Sequence, residues 1–181
     1  HFKNYTELRV QNNASTFISM VNSDIANNGV SSTSGVSARA FKEGGWGFAS
    51  NPEISDESIS RVINSSNENA HFMSLNNKLR CGIILPETFA NNEMDYASSK
   101  PKNNQKHWID FLNTVDDYII QKHPSVVSRS LFLNELDMEK SILTSDGSES
   151  YSMTPRGLCI LSLTTKKNGT PYELYEVFGG L

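Results

Sequence analysis

The chain has 181 residues, of which 37% are hydrophobic and 20% charged, and its sixteen Lys and Arg against twenty Asp and Glu leave a net charge of −4. This composition is apolar enough for a sizeable core, which excludes global disorder, and the length suits one large domain or two small ones. The sequence has no signal segment, no apolar run near the roughly 20 residues of a membrane-spanning helix, and no basic stripe for nucleic acid. We therefore expect a cytoplasmic protein with neither a membrane nor a nucleic-acid partner.

The first fifty residues are predicted to form an antiparallel β-meander. Apolar and polar side chains alternate in several short stretches, as they do in half-buried strands. The predicted strands cover residues 6–11, 16–21, 25–30, 35–41 and 46–50. Turn-forming residues at 22–24 separate the second strand from the third, and the pair Gly44-Gly45 permits the positive φ of a tight hairpin before the last strand.

Two helices are predicted in the middle of the chain. Ser55 offers a capping hydroxyl and is followed by two acidic residues, which suit the positive end of a helix dipole. An apolar stripe then supports a helix over about residues 56–73. Apolar residues also recur at three- and four-residue steps over about 107–122, and Pro124 prevents that helix from continuing.

The remaining segments are predicted from weaker patterns and from turn residues. Residues 79–85 are expected to form a short buried strand, whereas 91–105 is polar, has no period and is expected to be a surface loop. A second β-meander is predicted to follow, with strands over 126–136, 138–143, 148–153, 158–165 and 172–178 and turns at 145–147 and 166–169. This order predicts an α+β fold, with antiparallel β-meanders at both ends of the chain packed with the two helices.

The sequence offers no recognisable metal site. None of its four histidines is followed by Glu, and no two are spaced to share a helix face as the ligands of a helical zinc site do. Two cysteines, Cys81 and Cys159, are too few for a four-thiolate zinc site. Cys159 stands in an apolar run, which favours a buried and inert thiol. We therefore expect neither a metal ligand nor a cofactor in this chain.

Catalytic motifs are missing as well. The sequence contains no Gly-x-Ser-x-Gly elbow and no phosphate-binding Gly-x-x-x-x-Gly-Lys, and the glycines at 44–47 are interpreted as a hairpin corner. Two groups of carboxylates are expected to face solvent: Glu135, Asp137 and Glu139, which alternate on one strand face, and Asp116 and Asp117, which lie beside the apolar stripe of the second helix. By residue inventory alone, the chain has no catalytic residue and is not a self-sufficient enzyme.

Three motifs occur in a specific order near the start of the chain. A Glu-Leu-Arg strand at residues 5–10 is followed by a Gly-Val-x-x-Arg strand at 35–39 and by a Gly-Trp-Gly-Phe-Ala-Ser corner at 45–50. An acidic helix start comes next. This order resembles the N-terminal region of the TldD/PmbA (TldD/TldE) family, whose members have also been called modulators of DNA gyrase. The turn at 145–147 and the closing residues 175–180 also look like that family.

The resemblance implies zinc-dependent proteolysis of small or unfolded peptides. Proteins of this family have two domains and work as paired, related subunits, and their zinc ligands belong to a His-Glu-x-x-x-His motif in the C-terminal domain. This sequence lacks that motif, so no catalytic or metal-binding residue can be transferred to it. The resemblance therefore implies a single N-terminal domain over residues 1–181, without the C-terminal metallopeptidase-type domain and its zinc.

Two functions are compatible with the resemblance, and the sequence leaves both open. It also leaves open whether the parent protein is itself the enzyme. In the first, the chain is the non-catalytic N-terminal domain of a zinc metallopeptidase, helps to enclose its active site and holds peptide through main-chain hydrogen bonds at sheet edges. In the second, it is a non-catalytic binding or assembly subunit that pairs with a catalytic partner. The expected partners are thus a peptide substrate and a related subunit in a homo- or heterodimer.

Three residues in these motifs are candidates for contacting substrate: Arg9, Arg39 and Trp46. Each has an alternative interpretation. Trp46 and the neighbouring Phe48 are aromatic residues of a type that often anchors a core. Arg39 has the character of a cross-strand ion-pair partner.

Overall fold

The computed structural model describes residues 4–76, 89–97, 99 and 101–180. These residues form, in chain order, β1 (Tyr5–Val21), β2 (Asp24–Lys42), β3 (Gly45–Asn51), α1 (Asp56–Asn76), β4 (Asn91–Asp95), α2 (Gln105–Lys122), β5 (Val126–Thr144), β6 (Glu149–Lys167) and β7 (Thr170–Gly180). The α+β fold, with strands towards both ends of the chain and helices between them, is confirmed. The strand predicted over 79–85 lies outside the described residues.

The strands are longer than their sequence patterns predict. The segments predicted at 6–11 and 16–21 are parts of the continuous strand β1, and β2, β5 and β6 likewise each join two predicted strands. The polar residues between the predicted segments break the alternation of apolar side chains, yet they remain paired in the sheet. For example, the Asn13 amide Nδ2 on β1 donates to Thr33 Oγ1 on β2 at 3.2 Å. Cross-strand hydrogen bonds of this kind replace apolar contacts as the local stabilising interaction.

The prediction of a surface loop over residues 91–105 is wrong for its first five residues. Residues Asn91–Asp95 form β4, which pairs parallel to β6 with Asn91 opposite Glu149 and Asp95 opposite Met153. All five residues of β4 are exposed. The strand is therefore held by backbone pairing, which leaves no hydrophobic period in the sequence.

Three hairpin turns use two central residues with positive φ. These pairs are Asn22-Ser23, Glu43-Gly44 and Asn168-Gly169. The turn predicted at Gly44-Gly45 is thus displaced by one residue, and Gly45 is the first residue of β3. Positive φ at both central positions matches the right-handed twist of the flanking strands, which explains the short connections.

The chain divides into two compact units. Unit 1 comprises His1–Asn13, Thr33–Asp95 and Met138–Met153, and unit 2 comprises Ala14–Ser32, Tyr96–Asp137 and Thr154–Leu181. Four of the five boundaries between the units fall inside the long strands β1, β2, β5 and β6. This division concerns compactness alone, so the prediction of one domain over residues 1–181 stays a prediction.

Unit 1 packs α1 against one face of its sheet, in which the strand order is β3-β2-β1-β5-β6-β4. Its buried cluster consists of Leu8, Val36, Ala38 and Val62, with Val10, Ala49, Ile59, Ile63 and Leu143 packed around it. Helix and strand approach so closely at β3 that an added Cβ on Gly47 would lie 2.1 Å from the Ser66 carbonyl oxygen. The glycines of the Gly-Trp-Gly corner are therefore required by helix packing as well as by the hairpin.

Unit 2 packs α2 against its own strands. The buried cluster contains Ile18 and Met20 from β1, Leu112 from α2, and Leu131 and Leu133 from β5. The helix begins after Asn104, whose side-chain Oδ1 accepts the His107 backbone N–H at 2.9 Å. An asparagine in this position supplies one of the acceptors that the first helical turn lacks. The strands of this unit follow the order β2-β1-β5-β6-β7.

Candidate functional site

The face of the unit 1 sheet that points away from α1 carries all three predicted substrate residues. Side chains alternate along a strand, and Leu8 and Ala38 are buried towards the helix. Their neighbours Arg9 and Arg39 therefore project from the opposite face, as does Trp46, which precedes the helix-facing Gly47 on β3. We call this surface the open face. The structure thus brings the three candidates to one surface.

Arg39 is engaged in a two-pronged ion pair. Its Nε donates to Glu7 Oε2 at 3.1 Å, and its Nη2 donates to Glu7 Oε1 at 2.8 Å. The hydrogen bond to Glu7 also raises the pKa of the Arg39 guanidinium. The pair lies on the open face, where 54% of the Arg39 side chain is exposed. The geometry is that of the cross-strand ion-pair alternative, while a substrate contact by Arg39 stays a prediction.

Trp46 is the centre of a small aromatic group. The Arg39 guanidinium carbon lies 4.6 Å from its ring centroid, within the range of a cation–π contact. Phe41 is tilted against it at 5.0 Å and Tyr5 meets it edge-on at 6.1 Å. Burial and the hydrogen bond to Glu7 raise the pKa of the Tyr5 phenol. Trp46 thus packs against other side chains of the open face, and a substrate contact by Trp46 stays a prediction. Phe48 on the same strand is 60% exposed.

Arg9 heads a series of side-chain hydrogen bonds that was not predicted from the sequence. Its Nη2 donates to Gln11 Oε1 at 2.6 Å, and Gln11 Nε2 donates to Asn13 Oδ1 at 2.9 Å. The bond from Asn13 to Thr33 completes the chain. A signal was present in the sequence, since polar residues recur at every second position from Arg9 to Asn13. The predicted strand stops too early at residue 11 to include the last of them.

Arg9 and Arg39 also line one shallow depression. It has a volume of about 290 Å³, and Glu7, Ser37, Phe48 and Ile142 complete its wall. One arginine here is neutralised by Glu7, and the other has no acidic partner among the described residues. The open face therefore combines one compensated and one uncompensated positive charge with an exposed aromatic ring.

Unit 2 has a groove that the sequence does not predict. Its volume is about 460 Å³, and most of its wall is apolar, with Trp108, Phe111, Leu158 and Phe178 among the lining residues. The groove is open where two strands are paired through glycines, since Gly157 lies opposite Gly180 in the register of β6 and β7. Small residues at matched positions of two strands leave space that larger side chains would fill.

Cys159 lines this groove and is partly buried. Burial raises the pKa of its thiol. The thiolate is the reactive form, and a raised pKa lowers its fraction at any given pH. The interpretation of Cys159 as an inert thiol is consistent with this environment, although its burial is incomplete.

We expect Cys159 to react slowly with iodoacetamide. In a Cys81→Ser variant, where Cys159 is the remaining thiol, alkylation at pH 8 should be several-fold slower in the folded protein than in the same protein unfolded in urea. The difference should narrow as the pH rises, because the thiolate then forms in both states. Mass spectrometry of timed samples measures both rates, and equal rates at pH 8 would contradict the prediction.

Asp116 is buried, so the prediction that it faces solvent is wrong. Only 1% of its side chain is exposed, and its Oδ1 accepts the Arg129 Nε–H at 2.6 Å. Its Oδ2 accepts the Ser23 hydroxyl at 2.6 Å. The neighbouring Asp117 is exposed, as predicted. The partners of Asp116 lie far away in the sequence, which explains why the helical pattern alone misplaces it.

Two negative findings apply to the described ranges. Across residues 4–76, 89–97, 99 and 101–180, no three His, Cys, Asp or Glu side chains come together as a metal site would require. Within the same ranges, neither α1 nor α2 combines the length and apolar character needed to cross a membrane.

Comparison with known proteins identifies both the sequence motif and the fold. Residues 6–70 match the family model described as PmbA/TldA metallopeptidase domain 1. No curated protein matches the chain by sequence.

Three solved structures share the fold over nearly the whole chain. A proposed modulator of DNA gyrase from Bacteroides thetaiotaomicron superposes with a TM-score of 0.74 at 13% identity, covering 97% of this chain and 40% of that one. A second proposed modulator of a DNA gyrase, from Thermotoga maritima, gives 0.70 at 13% identity with coverages of 96% and 39%. TldE from Thermococcus kodakarensis gives 0.68 at 14% identity with coverages of 98% and 40%.

The chain therefore spans about 40% of the length of these proteins. At such low identity the superpositions show the fold, while the likeness to the PmbA/TldD family rests on the matched segment. The match covers almost all of β1 to β3 and most of α1, which carry the three motifs. Residues 6–70 are therefore similar to the first domain of the PmbA/TldD family, and the chain shares its fold with the three solved structures.

Proposed function

We propose that the chain is the non-catalytic N-terminal domain of a zinc metallopeptidase that degrades small or unfolded peptides in the cytoplasm. In this proposal it helps to enclose the active site and holds the peptide. The observation that carries the proposal is the match of residues 6–70 to a metallopeptidase first domain. Zinc and the catalytic groups would come from the part of the parent protein that carries a His-Glu-x-x-x-His motif, since this sequence has none.

The open face supports the peptide-holding part of the proposal. It presents an uncompensated guanidinium at Arg9, a partly exposed indole at Trp46 and an exposed ring at Phe48. Binding sites for small ligands typically combine apolar surface with a few oriented polar groups, and a short peptide has the same requirements. The face has these components within one unit of the structure.

A second candidate function is that of a non-catalytic assembly subunit, which pairs with a related catalytic subunit in a homo- or heterodimer. The observation that favours it is the apolar character of β7. Five large apolar or aromatic side chains of this strand are at least half exposed: Tyr172, Leu174, Tyr175, Val177 and Phe178. Exposed apolar surface of this kind is typical of an interaction site.

The two functions are separated by an experiment on the natural protein that contains this chain. The protein is purified alone and together with a related subunit, and its zinc content and cleavage of an unfolded peptide are measured. Zinc and cleavage in the protein alone support the first function. Cleavage that requires a zinc-containing partner supports the second. If neither preparation cleaves peptide, both proposals fail.

The role of Arg39 can be tested in whichever preparation cleaves peptide. An Arg39→Ala variant should raise KM about fivefold with little change in kcat, because in this proposal the side chain contributes to peptide binding and supplies no group to the chemical step. Its stability should fall by less than about 1 kcal/mol, since the ion pair is largely exposed. The control is Arg61→Ala, which removes an exposed arginine of α1. Unchanged cleavage by Arg39→Ala would eliminate this residue as a substrate contact.

A further inference from the structure

A second, larger depression lies on the open face next to Arg9. Its volume is about 470 Å³. β1 contributes Arg9, Gln11 and Asn13 to its wall, and β3 contributes Phe48 and Asn51. Among the described residues that line it, none is acidic, and the only charged side chain is the guanidinium of Arg9.

The hydrogen bonds along β1 have a fixed direction. Arginine carries donors and no acceptor, so Gln11 must present its carbonyl oxygen to Arg9. The amide nitrogen of Gln11 then points to Asn13, which in turn must present its own carbonyl oxygen. Asn13 consequently donates to the Thr33 hydroxyl. The carbonyl oxygens of Gln11 and Asn13 are thus engaged within this series of hydrogen bonds, and one N–H of each side-chain amide remains available to a ligand.

Asn51 on the other side of the depression has the same polarity. Its side-chain Oδ1 accepts the backbone N–H of Glu53 at 2.9 Å. The carbonyl oxygen is thus engaged, and its amide N–H groups are the part left for a ligand. Ser34 differs, since its hydroxyl donates to the Pro52 carbonyl at 3.4 Å. The side-chain amides of the wall thus offer donors, whereas the hydroxyl of Ser34 leaves its oxygen as an acceptor.

The charge distribution agrees with the polarity of the hydrogen bonds. Arg39 is paired with Glu7, so its charge is compensated within the protein. The side chain of Arg9 donates to a neutral amide, so its charge is not compensated by this hydrogen bond. A ligand that is rich in acceptors and negatively charged would satisfy both the guanidinium and the free amide N–H groups. A carboxylate accepts from such donors in charge-assisted hydrogen bonds.

We propose that this depression binds a carboxylate of an extended peptide, so that the protein prefers acidic peptides. The inference rests on the proposed function, because it takes a peptide as the ligand. The carboxylate lies against Arg9 and the amide N–H group of Gln11, and the ring of Phe48 supports the adjoining apolar part of the peptide. The carboxylate can belong to an Asp or Glu side chain or to the end of the peptide.

The test uses identically labelled short unfolded peptides and fluorescence anisotropy with the 181-residue chain at low salt. Three peptides have amidated ends and differ at one central position, which is Asp, Asn or Lys. A fourth has Asn at that position and a free C-terminal carboxylate. We expect a carboxylate peptide to bind about tenfold more tightly than the amidated Asn peptide, and the Lys peptide to bind most weakly. Whichever carboxylate gives the gain identifies its source.

Variants assign the preference to Arg9. Arg9→Gln should abolish it, and Arg9→Lys should retain part of it, since lysine keeps the charge without the planar fork. Arg61→Gln, which removes the same charge from an exposed position on α1, should leave the preference intact. Melting temperatures of all three variants establish that each is folded. A preference lost equally in Arg9→Gln and Arg61→Gln would overturn the proposal in favour of general electrostatic attraction.

The outcome also separates this inference from the function on which it rests. If all four peptides bind with equal affinity, the carboxylate site is wrong and peptide holding stands. If no peptide binds the chain and the natural protein with its partner leaves all of them uncleaved, the proposed function fails, and the inference fails with it.

Discussion

A Gly47→Ala substitution is expected to lower the free energy of unfolding by about 3 kcal/mol, because it forces an overpacked contact between β3 and α1. The new Cβ would lie 2.1 Å from the Ser66 carbonyl oxygen and 2.2 Å from the Ala70 amide nitrogen. Both atoms belong to the helix backbone, so no side-chain rotation can relieve the contact. Urea unfolding monitored by circular dichroism measures the loss.

The matched control is Gly157→Ala, which adds the same methyl group to a strand. Nothing lies within 4 Å of a Cβ built at Gly157. Its effect should be small, or slightly stabilising, since alanine restricts the unfolded chain more than glycine does. If both variants unfold at the same urea concentration as the parent chain, α1 and β3 are farther apart in solution than in the structure.

Asp116→Ala is expected to cost about 3–5 kcal/mol, because it leaves the Arg129 guanidinium buried without its carboxylate. The side chain of Arg129 is only 12% exposed, so water can compensate only in part. The Ser23 hydroxyl loses its acceptor in the same variant. The same urea unfolding experiment measures this loss.

Two further variants separate the buried pair from ordinary helix effects. Asp117→Ala changes the adjacent, exposed carboxylate and should alter the free energy of unfolding by less than about 0.5 kcal/mol. The double variant Asp116→Leu with Arg129→Met should recover much of the loss, since an apolar pair of similar volume removes the desolvation cost of both charges. Equal effects of Asp116→Ala and Asp117→Ala would show that the buried pair contributes little.

The helices were predictable because their signals are local. In α2, Leu112 and Ile119 are buried as the three- and four-residue steps require, and Pro124 lies just beyond the end of the helix. In α1, the hydroxyl of Ser55 accepts the Ser58 backbone N–H at 3.2 Å, which is the capping contact expected from the sequence. Each of these features depends on residues within one or two helical turns.

The lengths of the strands were not predictable to the same degree. Asn13 remains in β1 because Thr33 lies across from it, and the two residues are twenty positions apart in the sequence. β4 has no apolar side chain facing a core, so its pairing with β6 left no pattern. In both cases the stabilising partner is remote in sequence, and a reading of neighbouring residues cannot include it.

The motifs named Arg9, Arg39 and Trp46 as candidates, and a substrate contact by any of them stays a prediction. Only the structure places the three on the same face of the sheet. The pairing of Arg39 with Glu7 depends on the alignment of β1 with β2, which the sequence does not specify by itself. Asp116 was misplaced for the same reason, since its two partners, Ser23 and Arg129, are contributed by other elements.

The hydrogen-bond chain that begins at Arg9 is built from a guanidinium, two amides and a hydroxyl. The amides and the hydroxyl neither gain nor lose a proton over the range in which carboxylic acids titrate. The hydrogen-bond donors that these neutral groups present are therefore the same in mildly acidic and in neutral solution. Any acid sensitivity of a complex formed there would be a property of the bound molecule, and its midpoint would report the ionisation of that molecule's own carboxyl group.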